Sequence, residues 1–194
     1  MWSRIALILA AAALLFGCVS EGEKIDATNA VNVDFQKAYE EILDEIGTRF
    51  YPVSVERAIT AMDDALAEMG MHTIISDTST GLLQTSAPAP TPLTLDEWHQ
   101  IADTDEPRLK NILRPYIGRI PTMFIGFEPE GLNILIRVTA IENGNGVDVS
   151  LTMRMEETAP PKSGYPRRTY APPSAVRMGL GKIWTQFERE LTRR

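Results

Sequence analysis

Hydrophobic and polar residues alternate with a period of two along three stretches of the C-terminal half. Residues 122–128 carry Met123, Ile125 and Phe127 on one side. Residues 132–141 do the same with Leu132, Ile134, Ile136, Val138 and Ala140, and residues 147–155 with Val147, Val149, Leu151, Met153 and Met155. Between these inward positions lie Asp148, Ser150, Thr152 and Arg154. Such alternation predicts antiparallel strands with one face on a core and one in water. Glu130-Gly131 and Asn143-Gly144-Asn145-Gly146 supply the turns between them.

Helical spacing dominates elsewhere. Phe35, Ala38, Tyr39, Ile42, Leu43 and Ile46 predict a helix capped by Asp34 and ended by Gly47. After an extended piece at 48–53, Ser54 caps a second helix with Val55, Ile59, Met62, Leu66 and Met69 on its apolar side. Gly70 ends it, and strands at 71–76 and 81–86 follow around a turn at 77–80, an αββ unit. Residues 87–121 read as an inserted segment. It has a proline-rich lead-in, a Thr94/Glu97 capping box before Trp98 and Ile101, and a second short helix from Asp105 to about Arg114, with Pro115 against its continuation. Residues 158–173 form a proline-rich basic loop, and Pro173-Ser174 opens a last helix with Val176, Leu180, Ile183, Trp184, Phe187 and Leu191 inward. The expected class is α+β. A curved antiparallel sheet of about five to six strands carries two helices on one face, with a small helical insertion over one sheet edge.

The N-terminus has a different pattern. Arg4 precedes an unbroken apolar run at 5–16 and then Gly17-Cys18. Twelve residues rise about 18 Å as a helix, short of the ~30 Å hydrocarbon core, so the run fits an export signal better than a membrane span. Cys18 is the only cysteine, which leaves no disulfide to propose. The stretch Leu15-Phe16-Gly17-Cys18 resembles the lipobox of bacterial lipoproteins. The resemblance implies removal of residues 1–17, a diacylglycerol thioether on Cys18 and acylation of its new amino group. Val19, in place of an aspartate, implies the outer membrane, with the protein facing the periplasm. Residues 18–33 are then the lipidated cysteine and a flexible tether, and residues 34–194 a single domain. From residue 48 to 192, leaving out the insertion, the element order and the positions Ser54, Ala58, Leu66, Gly70, Asp77 and Gly81 are similar to the helix-grip lipoproteins of the Gram-negative envelope.

The formal charge of −7 disfavours nucleic acid as a partner, since phosphate binding needs a strongly basic face. The acid is concentrated early: residues 18–118 hold 18 Asp/Glu against 7 Lys/Arg, and residues 119–194 hold 8 against 11. That split reads as a solvated acidic surface or as a bipolar molecule.

Catalytic signals are missing. His72 and His99 have no metal-ligand spacing, no Gly-x-Ser-x-Gly elbow occurs, and Gly179-Leu180-Gly181-Lys182 lacks the remainder of a phosphate loop. Asp103-Thr104-Asp105-Glu106 lacks the glycine and distal glutamate of a calcium loop. No catalytic residue, metal or cofactor is expected. The candidate recognition residues are Tyr165, Arg167, Arg168 and Tyr170 of the basic loop, residue types favoured at binding hot spots. Trp98 serves either as a contact residue or as a nail holding the insertion to the core. The expected function is non-enzymatic: an outer-membrane lipoprotein that binds or scaffolds an envelope protein, held to the membrane through acylated Cys18. A carrier of an apolar ligand or lipid between helix and sheet is the alternative, and a hydrolase the third reading.

Overall fold

The structure is a computed structural model that describes residues 19–159 and 166–193. Its elements are α1 (Glu21–Ile46), β1 (Thr48–Tyr51), α2 (Val55–Glu68), β2 (His72–Asp77), β3 (Leu82–Pro88), α3 (Leu95–Ile117), the single turn α4 (Arg119–Thr122), β4 (Leu132–Asn143), β5 (Gly146–Glu157) and α5 (Pro173–Arg193). The class is α+β, with five strands in one open antiparallel sheet of order β1-β5-β4-β3-β2.

The period-two reading of β4 and β5 holds residue by residue. Leu132, Ile134, Ile136, Val138 and Ala140 are buried, as are Val147, Val149, Leu151, Met153 and Met155. Ile136 lies opposite Thr85 on β3 and Met153 on β5, so one row of side chains crosses the centre of the sheet. Helices α2 and α5 cover this row. Ala58, Ala61 and Ala65 of α2 are fully buried, and their small side chains let the helix lie close to its neighbours. Gly179 does the same for α5: a Cβ there would stand 2.6 Å from Met153 Sδ. Gly179 and the buried Leu180 of the Gly-Leu-Gly-Lys stretch therefore serve packing, and Lys182 donates to Glu97 Oε2 at 2.7 Å.

Three expectations are corrected. Residues 21–33 are helical, so the tether reading fails for them. Ser20 and Glu23 form a reciprocal capping box, and Ala27 and Val31 extend the apolar stripe of Phe35 upstream. The helix consequently starts at Glu21, and Asp34 lies inside it.

The insertion is not two short helices but one helix, α3, which runs through both Pro107 and Pro115. Both prolines lie on its exposed side. So do Asp103 and Asn111, whose carbonyls the missing N–H groups would have used, and water can satisfy those oxygens.

Residues 122–128 are not a strand. Pro121 has no N–H to give, and Gly118 turns the chain with φ +80°. The segment begins as a tight turn with Thr122 buried and Met123 and Phe124 in solvent, so Thr122 and Met123 take the opposite sides from those expected, while Ile125 and Phe127 still face inward. The sheet accordingly has five strands. No helix among the described residues is long and apolar enough to cross a membrane.

Candidate functional site

Ala27, Val31 and Phe35 recur at every fourth position of α1 and place one stripe toward α3. Leu109 and Leu113 of α3 answer with the same spacing. These five residues form a cluster separate from the main core, with Ile112, Tyr116, Ile117, Ile125, Phe127 and Tyr170 packed around it. Packing is incomplete. A cavity of about 220 Å³ remains among Val31, Phe35, Leu109, Leu113, Ile125 and Phe127, floored by Leu132 and Met155 at the ends of β4 and β5. It exceeds the ~150 Å³ at which a dry apolar cavity already admits a benzene-sized guest.

Trp98 forms one wall. Its indole is 1% exposed and Nε1 donates to the carbonyl of Phe127 at 2.7 Å. Of its two sequence-level roles, the structure favours the nail, because a fully buried ring cannot meet a partner at the surface. Its placement also holds the 125–128 segment along the cavity, and Gly126 lets that segment pass close to α3, where a Cβ would stand 2.8 Å from Glu106 Oε1.

The basic loop supplies another wall. Tyr170 packs on Tyr39 of α1, ring centroids 5.5 Å apart, with the Arg154 guanidinium 6.0 Å above its ring. Burial raises the pKa of the Tyr39 phenol, against the pull of Arg154, so it stays neutral. Arg168 lines the cavity and is half exposed, with Nε donating to Glu157 Oε1 at 2.7 Å. Asn32 clasps this loop from α1: its Nδ2 donates to the Arg167 carbonyl at 2.8 Å and its Oδ1 accepts from Thr169 N at 3.3 Å. Residues 167–170 of the loop are thus docked on α1.

Of the sequence-level candidates, Trp98, Arg168 and Tyr170 converge on one cavity. Arg167 does not join them, since its side chain is exposed and only its carbonyl is engaged. Tyr165 and Cys18 lie outside the described residues. His72 and His99 are both exposed, on β2 and α3. The acidic 103–106 cluster is disassembled: Asp105 is 5% exposed and accepts from Ser174 N and Oγ at 2.8 and 2.9 Å, while Glu106 pairs with Lys110. No group of three or more His, Cys, Asp or Glu able to hold a metal occurs among the described residues.

Sequence reasoning missed Val31, Asn32, Phe35, Leu109 and Leu113 as wall residues. The signal for Val31 and Phe35 was the unbroken stripe at 27, 31, 35, 38 and 42 together with the Ser20/Glu23 cap, whereas Asn32 lies beside that stripe and carried no signal.

The site defines a class: an α+β module with a partly closed apolar pocket, lined among its charged groups by the Arg168 guanidinium and the Glu128 carboxylate. Comparison with protein-family models, curated proteins and solved structures finds no match.

Proposed function

We propose that this protein is an outer-membrane lipoprotein, anchored through acylated Cys18 and facing the periplasm, whose folded part is a non-enzymatic binding module. Its ligand is an apolar group that enters the α1–α3 pocket, as a lipid chain or other small apolar molecule does. The observation carrying this reading is the convergence of Trp98, Arg168 and Tyr170 around a cavity walled mainly by aliphatic and phenyl groups, with Thr28, Asn32 and the exposed Glu128 as its other polar lining. Ligand sites are commonly of this composition, with a few polar groups that orient the guest. Arg168 suits an anionic head at the edge, since its Nε is held by Glu157 while the rest of the guanidinium remains partly exposed. The pocket lining contains no histidine, cysteine or serine; its one aliphatic hydroxyl, that of Thr28, donates to the Lys24 carbonyl at 3.0 Å rather than to the lining carboxylate Glu128, so no nucleophile–base pair is assembled there. This favours the ligand-binding reading over scaffolding by the basic loop, whose Arg168 and Tyr170 are already engaged in the wall.

Two measurements test it. Mass spectrometry of the mature protein from its own membrane is expected to find a triacylated residue 18 at the amino terminus. Titration with a fluorescent fatty acid is expected to give saturable binding near one equivalent. Leu113→Trp and Val31→Phe should each abolish it by filling the cavity, and Arg168→Ala should weaken it. Binding that does not saturate, or that both filled variants retain while folded, overturns the pocket reading. An unmodified Cys18 overturns the anchor reading alone.

A further inference from the structure

Three of the most exposed large apolar side chains sit within five residues of each other: Phe124 is 85% exposed, Met123 65% and Ile120 56%. Single exposed apolar residues are ordinary, but a cluster on one turn marks a contact surface. The turn is well defined. Gly118 bends the chain out of α3, the Thr122 hydroxyl donates to the Gly118 carbonyl, and the amides of Met123, Phe124 and Ile125 each bond three residues back. The apolar side chains are therefore displayed on a hydrogen-bonded knuckle.

The surrounding charge selects the occupant. From residue 107 to residue 127 there is no Asp or Glu, while Arg108, Lys110, Arg114 and Arg119 are present, in a chain of net charge −7. Arg108 is paired with Asp34 and Lys110 with Glu106. Arg114 and Arg119, which flank the knuckle, are exposed and have no ion pair among the described residues. The first turns of α1 carry the acids Glu21, Glu23 and Asp26 beside Lys24, and Glu23 accepts from Ser20 N in the helix cap. Apolar tips rimmed by unpaired arginines match a bilayer interface bearing anionic headgroups.

Position supports the same occupant. The Asp34–Arg108 pair and the nearness of Tyr116 to Asp26 and Ala30 show that α1 and α3 run antiparallel. From Arg108 to Ile117 the axis advances about 14 Å, and from Asp34 back to Glu21 about 20 Å. The knuckle at the end of α3 thus lies toward the start of α1. Cys18 is joined to that start through Val19 and Ser20, within about 10 Å of chain. The pocket is close by, because Ile125 to Glu128, which follow the knuckle directly, line it.

We infer that Ile120, Met123 and Phe124, flanked by Arg114 and Arg119, insert into the interface of an anionic phospholipid bilayer as a second membrane contact beyond the acylated cysteine. The contact fixes which end of the domain faces the lipid, and it brings the apolar pocket beside the membrane surface.

The test uses the full mature protein on vesicles of neutral and anionic phospholipid, part of whose acyl chains are brominated. The native Trp98 and Trp184 are buried, so quenching above that of the wild type reports the introduced indole. Phe124→Trp is expected to lose about half its added fluorescence, as an indole seated ~5–10 Å into the interface would. Ile141→Trp is the control: the native residue is 66% exposed and lies nine positions along β4 from Leu132, roughly 30 Å from the pocket end, so the indole should lose almost none. Adding Arg114→Glu with Arg119→Glu to Phe124→Trp should remove most of the quenching. Absent quenching at position 124, equal quenching at 124 and 141, or quenching indifferent to the charge reversal each overturns the inference. The mass of residue 18 in the same sample reports separately on the anchor.

Discussion

Asp105 ties two distant parts of the chain together, and removing it should loosen both. It lies in the middle of α3, is 5% exposed, and accepts from the amide and the hydroxyl of Ser174 at 2.8 and 2.9 Å. Ser174 is in the first turn of α5, where amide groups have no partner within the helix. An acidic oxygen at that place satisfies the amide and complements the helix dipole. Hydrogen bonds to charged groups contribute about 1.5–3 kcal/mol each, but Ser174 is half-buried and water can replace part of what is lost. Asp105→Ala is therefore expected to cost about 2–3 kcal/mol, a large share of the ~5–15 kcal/mol that holds a domain together. With a urea slope of about 2 kcal/mol per molar, the unfolding midpoint should fall by about 1–1.5 M. Asp105→Asn keeps one acceptor oxygen and should lose about half as much. Circular dichroism across a urea series measures both. A double-mutant cycle with Ser174→Ala should return a coupling of about 1 kcal/mol. A midpoint shift for Asp105→Ala below about 0.3 M, or a coupling near zero, would refute the reasoning.

Two further outcomes follow from single side chains. Thr85 is fully buried at the centre of β3 and its Oγ1 has no hydrogen-bond partner among the described residues, so the nearly isosteric Thr85→Val should raise stability by about 1 kcal/mol in the same urea assay. Asp77 is held at a pKa of about 2, below its ordinary 3.8, first by the Ser79 hydroxyl and then by Thr80 and the two backbone amides. Its folded value is depressed, so the contribution is complete above the unfolded pKa and is lost as pH falls through about 2. Asp77→Asn should hence flatten the acid limb of the stability–pH curve between about pH 4 and 2, and a mutant curve parallel to wild type there would count against this turn.

The strands were legible because burial on one face writes itself into the sequence with a period of two, and β4 and β5 obey it over ten positions without a slip. The same test misread 122–128, where alternation over seven residues arose from a turn. There Ile125 and Phe127 face the pocket while Met123 and Phe124 face outward. A short alternating run carries too little information to outweigh Pro121 and Gly118 beside it. Composition misled at 21–33: small and charged residues suggested a tether, yet Ala27 and Val31 were enough, with a capping box, to continue α1 once α3 was there to receive them. The pocket itself was only partly legible. Trp98, Arg168 and Tyr170 were named as candidates for separate reasons, but their meeting depends on α1 and α3 pairing across 74 positions of sequence, between Asp34 and Arg108. No local periodicity encodes such a distance.

The uneven charge along the chain acquires a physical meaning once α5 is in place. Three of its cations reach acids of the acidic half: Arg177 pairs with Glu45 of α1, Lys182 with Glu97 of α3, and Arg193 with Glu68 of α2. Arg177 and Glu45 shift one another in opposite directions, each favouring its charged form. All three pairs are partly exposed, and such pairs add little to stability, so their weight falls on specificity: they select which helix lies beside α5 and in what register. Burial does the rest, through Trp184, Phe187 and Leu180 beneath them. The C-terminal helix thereby becomes the common support of α1, α2 and α3. The α3 wall of the pocket is fixed to it twice, by Glu97–Lys182 and Asp105–Ser174. The opposing wall, the first half of α1, rests on the small apolar cluster and the Asn32 clasp, with few buried contacts to hold it. Local opening is easiest where buried contacts are fewest, so the pocket has one rigid side and one that yields, and the yielding side is the one that leads to Cys18.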